Sequence, residues 1–180
     1  LVTGISGMIG SHVARALLTS GCDRVFGLVR PRTDLSTLQG VLHDLELLYG
    51  DITDASRMAD VMRLVRPNAV FHLAAQAING ISHAMAQLTL QANVQGTHNV
   101  LEAVRLLLAA EPQLQTRVLL AGSSTEYGKT TEAFGGQPVP ESAALQPVTP
   151  YGVSKVATEM LGNMYVSSYG VHVTTARLFI

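Results

Sequence analysis

Leu1-Val2-Thr3-Gly4-Ile5-Ser6-Gly7-Met8-Ile9-Gly10 is the stretch that decides the fold of this 180-residue chain. An apolar run leads in, glycines fall at positions 4, 7 and 10, and from Met8 to Ser20 the apolar residues follow a helical period. Strand, glycine turn and helix in that order make a phosphate loop. The glycines allow a tight turn, let backbone N–H groups approach a pyrophosphate, and let the helix pack against the strand. The N-terminus of the helix adds partial positive charge facing the phosphates. Gly4, Gly7, Met8, Ile9 and Gly10 are therefore the first candidate contacts to a dinucleotide.

Beyond the loop the same rhythm repeats. Strands are expected at Leu1–Thr3, Arg24–Val29, Leu45–Tyr49, Ala69–Leu73, Arg117–Ala121 and His172–Leu178. Helices are expected near Met8–Ser20, Asp54–Val65, Ala84–Leu108 and Pro150–Tyr169. Short apolar strands alternating with helices imply βαβ units and a parallel sheet covered on both faces. With right-handed crossovers the fold class is α/β, a doubly wound sheet of Rossmann type. Pro31–Asp44 reads as a loop with a short helix. Gly128–Thr149 reads as a long loop, of a length that is usually functional.

Composition limits the function classes. Apolar residues make up 47% and charged residues 14%, which supports a buried core and excludes a disordered chain. A net charge of −1 with both signs scattered argues against a nucleic-acid partner. The longest apolar stretch, Val100–Ala110, is interrupted by Glu102 and Arg105, so no membrane span is expected. The lone Cys22 cannot form an intramolecular disulfide, which makes the cytoplasm the default location. The six histidines show no ligand spacing and no metal site is expected. His72, inside a strand, is read as core or cofactor-lining. Leu1-Val2 reads as the tail of a strand, and Thr174–Ile180 stops within another. The chain is thus expected to be truncated at both ends, a single cofactor-binding domain over residues 1–180 without its C-terminal substrate domain.

The second strand should end beside the adenosine ribose of the cofactor. An acid there would hydrogen-bond the 2′-hydroxyl and favour NAD. The residues present are Arg30-Pro31-Arg32, with no acid before Asp34. A guanidinium can neutralise a 2′-phosphate, so NADP is expected, with NAD the alternative. Leu73, Ala74 and Ala75, after the fourth strand, are small enough for a cofactor to lie against the backbone.

Two further motifs lie downstream, Tyr151-Gly-Val-Ser-Lys155 and Gly122-Ser-Ser-Thr-Glu-Tyr-Gly128. Thr149 suits an N-cap and Pro150 the first helical position, which puts Tyr151 and Lys155 one turn apart on one helical face. A phenol is a poor base at neutral pH, and a neighbouring ammonium is expected to lower its pKa. Together with the T-G-x-x-G-x-x-G loop, these residues resemble the extended short-chain dehydrogenase/reductase family along essentially the whole chain.

That resemblance implies several roles. Tyr151 and Lys155 would be the family's Y-x-x-x-K pair. Ser123, four residues before the tyrosine of Tyr127-Gly128, would hold the sugar oxygen, with Thr125 as a second hydroxyl. Asp51 and Ile52 would contact the adenine, and Asn93 would lie near the nicotinamide side. Ala74-Ala75-Gln76 and Pro150-Tyr-Gly-Val-Ser-Lys155 look most like the GDP-sugar branch, which contains GDP-mannose 4,6-dehydratases and GDP-4-keto-6-deoxy-mannose reductases. Dehydratases of that branch carry a glutamate two residues before the Tyr-Gly tyrosine. Here Thr125 occupies that place and Glu126 follows it. In an extended segment a one-residue shift turns a side chain to the opposite face, which favours a reductase or epimerase. A deletion in this loop would restore Glu126 to the dehydratase role, so Glu126 stays a catalytic candidate. Ile180 stands where the family's R-x-F-N motif has its asparagine. The resemblance also implies a homodimer or higher homo-oligomer, built on helices Ala84–Leu108 and Pro150–Tyr169. A non-catalytic cofactor-binding regulator is the competing class. It would need the glycines but not Ser123, Tyr151 and Lys155.

Overall fold

A computed structural model describes residues 1–179, and Ile180, with the reading attached to it, lies outside the described residues. Six parallel strands are β1 (Val2–Thr3), β2 (Val25–Val29), β3 (Leu45–Tyr49), β4 (Ala69–His72), β5 (Arg117–Ser123) and β6 (His172–Leu178). They form one sheet in the order β3-β2-β1-β4-β5-β6. The order reverses direction at β1, so the crevice beyond the carboxyl ends of β1 and β4 is the topological switch point where ligands of such sheets bind.

Strand residues alternate between two cores. Val25 and Val29 of β2 pack with Val2, Ile5 and Ala14, on the face covered by α1 (Met8–Thr19). Phe26 and Leu28 pack on the other face with α2 (Ala55–Val65), through Met58, Val61 and Met62. Both faces are buried, so the strands read as continuous apolar runs.

The helix expected over Ala84–Leu108 runs unbroken from Ala86 to Ala110, with one π turn inside it. After the short α3 (Asn79–Ala84), it is made of α4 (Ala86–Leu90), a π turn over Gln91–Gln95, and α5 (Gly96–Ala110). Met85, with φ −131° and ψ 49°, separates α3 from this helix, and the π turn rotates the face that follows. The loop after β2 holds only short 3₁₀ turns, Ser36–Leu38 and Leu42–Asp44. The long loop carries the four-residue α6 (Thr130–Ala133). The last helix, α7 (Pro150–Tyr169), has the expected limits. The Thr149 hydroxyl accepts from Gly152 N at 3.0 Å, and Gly170 closes the helix at φ 68°. Among the described residues no helix is long and apolar enough to cross a membrane.

Candidate active site

The phosphate loop is held closed by backbone contact. Gly4 adopts φ 70°, and a Cβ there would lie 2.7 Å from Ala74 N. A Cβ on Gly10 would lie 2.2 Å from the Gly4 carbonyl oxygen. Side chains at either position would push α1 or β4 out of the crevice. The space between loop and helix therefore exists only because these residues are glycines. This cradle fits a dinucleotide pyrophosphate. Met8, 63% exposed at the start of α1, marks its open side.

Beyond β2 a recess of about 370 Å³ is lined by Arg30, Pro31, Arg32, Thr33 and Asp51. Arg30 and Arg32 are exposed, and neither guanidinium has a hydrogen-bond or ion-pair partner among the described residues. Asp34, the nearest acid in sequence, accepts from the Ser36 N–H and hydroxyl, both at 2.9 Å. Asp51 faces the recess and caps its own turn through Thr53 N at 2.9 Å. Ile52 is buried against Gly96, and its carbonyl accepts from Asn99, which anchors the turn to α5.

Behind the crevice a polar chain crosses the core. Thr3 Oγ1 meets His72 Nδ1 at 2.8 Å, and His72 Nε2 meets Thr97 Oγ1 at 2.9 Å. Burial, with the Lys155 charge nearby, pulls the His72 pKa down to about 3, so this imidazole is neutral and structural. The Thr3 hydroxyl also accepts from Ala74 N, which ties Leu73-Ala74-Ala75 to β1. Asn93 lies in the π turn and is 2% exposed. Its amide accepts from Gln76 N at 2.7 Å and donates to Gln76 O and to Ser154 Oγ. Its side chain is thus committed to holding the β4 loop against α7.

Ser123 ends β5 and caps a 3₁₀ turn, Ser124–Glu126. Lys155 is 6% exposed, donates to Ala121 O at 2.7 Å, and sits 5.7 Å from the centre of the Tyr151 ring. The fold therefore gathers Ser123, Tyr151 and Lys155 at the carboxyl end of β5. Burial lowers the Lys155 pKa to about 8, opposed by the Glu126 charge. For Tyr151 the protein's own groups act, on balance, in the opposite direction to the lowering expected. Burial raises its pKa, the Ser123 hydroxyl pulls it back, and the Glu126 carboxylate adds to the rise. The Lys155 ammonium is tied to the Ala121 carbonyl and is not among the groups that shift the phenol.

Glu126 does not lie in an extended segment, so the opposite-face placement expected for it does not hold. In a 3₁₀ turn residues i and i+3 share a face. Glu126 accordingly folds back on Ser123, accepting from its N–H at 2.7 Å, and is fully buried. A Cβ on Gly122 would lie 2.7 Å from Glu126 Oε1, so the glycine makes room for the carboxyl. Below it Arg177 pairs with Glu159 through two contacts of 2.8 and 2.6 Å and donates to the Tyr127 hydroxyl and to Glu141 O. Burial, the backbone contact and the adjacent Glu159 together leave the Glu126 pKa at about 7, raised chiefly by burial. This node was not legible in the motifs. Its one signal is Glu159, four residues beyond Lys155 on the same face of α7.

Among the described residues no group of acidic, histidine or cysteine side chains could hold a metal ion. A second recess, about 380 Å³, opens beside Thr125, Gly128, Lys129, Glu132, Val148, Thr149 and Asn79.

A switch-point crevice with a glycine cradle, and a Ser–Tyr–Lys cluster beside it, defines an extended short-chain dehydrogenase/reductase. Within that class, the family model for GDP-mannose 4,6 dehydratase matches residues 1–180, and the chain belongs to that family. A GDP-mannose 4,6-dehydratase of Vibrio cholerae serotype O1 is 32% identical over 99% of the chain and 48% of its own length. One from Sordaria araneosa is 33% identical over 99% of the chain and 32% of its own length. Among solved structures, UDP-glucose 4-epimerase of Thermus thermophilus in complex with NAD superposes with a TM-score of 0.84. It is 29% identical and covers 98% of this chain and 53% of that one. The dTDP-glucose 4,6-dehydratase DesIV of Streptomyces venezuelae, with NAD and TYD bound, gives 0.83 at 29% identity, covering 98% and 54%. The chain spans about half the length or less of the curated relatives it matches.

Proposed function

We propose that residues 1–180 are the cofactor-binding domain, active-site helix included, of an NADP-dependent enzyme acting at C4 of a GDP-linked hexose. Its reaction is the reduction of a GDP-4-keto-6-deoxy-mannose type substrate. The burial of Glu126 carries this reading. Elimination of water across C5 and C6 needs an acid–base group facing the sugar. Glu126 is fully buried with one oxygen bound to Ser123 N, and the position that would face the sugar holds Thr125.

Gly4, Gly7, Met8, Ile9 and Gly10 hold the pyrophosphate. Arg30 and Arg32 hold the 2′-phosphate, Asp51 and Ile52 flank the adenine, and Leu73-Ala74-Ala75 form the floor. A bound nicotinamide cofactor supplies the hydride exchanged with the sugar carbon. Tyr151 transfers the proton to the C4 oxygen, Ser123 fixes that oxygen, and Lys155 orients the cofactor ribose and holds the phenol in place. Asn93 acts through the loop and helix that it joins.

A dehydratase is the second reading, favoured by the names of the relatives. The complete protein should oxidise NADPH with GDP-4-keto-6-deoxy-mannose and leave GDP-mannose unchanged. Formation of the 4-keto-6-deoxy product from GDP-mannose would reverse the assignment. Tight NADPH binding with no turnover of either substrate would place the protein among regulators.

A further inference from the structure

A hydroxyl has two acceptor sites and one proton. At Ser123 both acceptor sites are taken by one residue. Thr125 N donates to Ser123 Oγ at 3.2 Å, and Thr125 Oγ1 donates to the same oxygen at 2.9 Å. Thr125 is itself held by the start of α7. Gly152 approaches so closely that a Cβ on it would lie 2.8 Å from the Thr125 carbonyl oxygen. The same Thr125 also lines the recess that includes Lys129 and Thr149.

We propose that Thr125 is a positioning residue that directs the Ser123 proton. With its lone pairs occupied, Ser123 has only its O–H to offer, and it offers it to the Tyr151 oxygen or, once substrate is bound, to the substrate oxygen beside it. Ser123 thereby acts as a donor. A donor to the phenol oxygen favours the phenolate, which offsets part of the rise that burial imposes on Tyr151. The charged and titratable groups around the phenol are Glu126 from the 3₁₀ turn and Lys155 from α7, with His72 of β4 facing Lys155. None of these changes when the Thr125 hydroxyl is removed, so that hydroxyl can be tested separately. The inference rests on Ser123 and Tyr151 as the proton-handling pair.

The test uses the complete protein with NADPH and GDP-4-keto-6-deoxy-mannose, comparing Thr125→Val, Thr125→Ser and Ser123→Ala. Thr125→Val is near-isosteric and removes only the donor. It should lower kcat about tenfold, the effect of one net hydrogen bond, with KM and NADPH affinity unchanged. The Tyr151 titration, read by ultraviolet difference against the matching Tyr151→Phe protein, should move to higher pH, because Ser123 can then accept from the phenol. Thr125→Ser should restore both readouts. If Thr125→Val melts early, Thr125→Ala carries the same two measurements. Wild-type kcat in Thr125→Val, or a fall in kcat without a shift of the titration, overturns the proposal. In either case loss of activity in Ser123→Ala leaves the catalytic pair standing. Full activity in Ser123→Ala overturns both.

Discussion

Replacing Gly10 with alanine should open the phosphate cradle and destabilise the fold together. The added Cβ would meet Gly4 O at 2.2 Å, Ile5 Cα at 2.8 Å and Gly4 C at 2.9 Å. Ordinary contact begins at 3.4 Å, so the start of α1 must retreat by about 1.2 Å. All three obstructing atoms are backbone, and the loop is closed by Gly7 N donating to Gly4 O at 3.0 Å, so no side chain can yield. Overpacking of this kind costs about 1–3 kcal/mol, here at the upper end. Alanine regains about 1 kcal/mol of helix propensity, which leaves a net loss of about 2 kcal/mol. For a cooperative unit of 180 residues that lowers Tm by about 4–8 °C, and by less if the complete protein melts as one larger unit. A retreat of that size also carries α1 N–H groups out of hydrogen-bond range, so NADPH affinity should fall at least about tenfold. Calorimetry and fluorescence titration of the complete protein measure the two effects. Gly80→Ala is the control for stability, since no atom lies within 4 Å of its Cβ and the residue sits in α3. Its Tm should hold or rise. A Gly10→Ala protein that melts with the wild type and binds NADPH equally well would refute the close-approach argument.

Arg30→Ala should weaken NADPH binding while sparing NADH, and an unchanged ratio of the two affinities would exclude a 2′-phosphate contact at Arg30. Tyr151→Phe should keep the fold and NADPH binding but lose roughly 10²–10⁴ in turnover, the range for a proton-transfer group. Lys155→Met should lose both turnover and cofactor affinity. Near-normal activity in Tyr151→Phe would remove the phenol from the mechanism. Glu126 has a folded pKa of about 7, above the ordinary 4.5, so the folded state holds its proton more tightly than the unfolded state. Its contribution is therefore fully present below about pH 4.5 and is lost as pH rises through about 7. The melting temperature of Glu126→Gln relative to wild type should climb between pH 5 and 8, and a constant difference would show that the group does not titrate there. Leu106 on α5 and Val153, Met160 and Val166 on α7 are exposed apolar residues, so the complete protein should sediment as a dimer or larger, and a monomer at micromolar concentration would contradict this.

The motifs that proved legible share one property: their meaning is local. Thr149, Pro150 and the Tyr151–Lys155 spacing define the start of α7 because capping and helical period depend on neighbours a few residues away. The sheet followed from apolar runs separated by helical ones. The long helix before β5 was legible, but the π turn inside it was not, because a π turn adds a residue without altering the apolar pattern on either side.

The sequence alone determined the strand order class, the glycine cradle, the cationic end of β2, and the candidate residues Ser123, Tyr151 and Lys155. Tertiary structure decided what those residues experience. The turn after β5 is helical, so Glu126 faces the core, where Arg177 and Glu159 arrive from β6 and α7. Tyr151 is pushed up because burial depends on atoms contributed by distant elements. Spacing along a chain sets periodicity and capping, whereas desolvation and charge pairing depend on distances across space, which only the folded chain establishes.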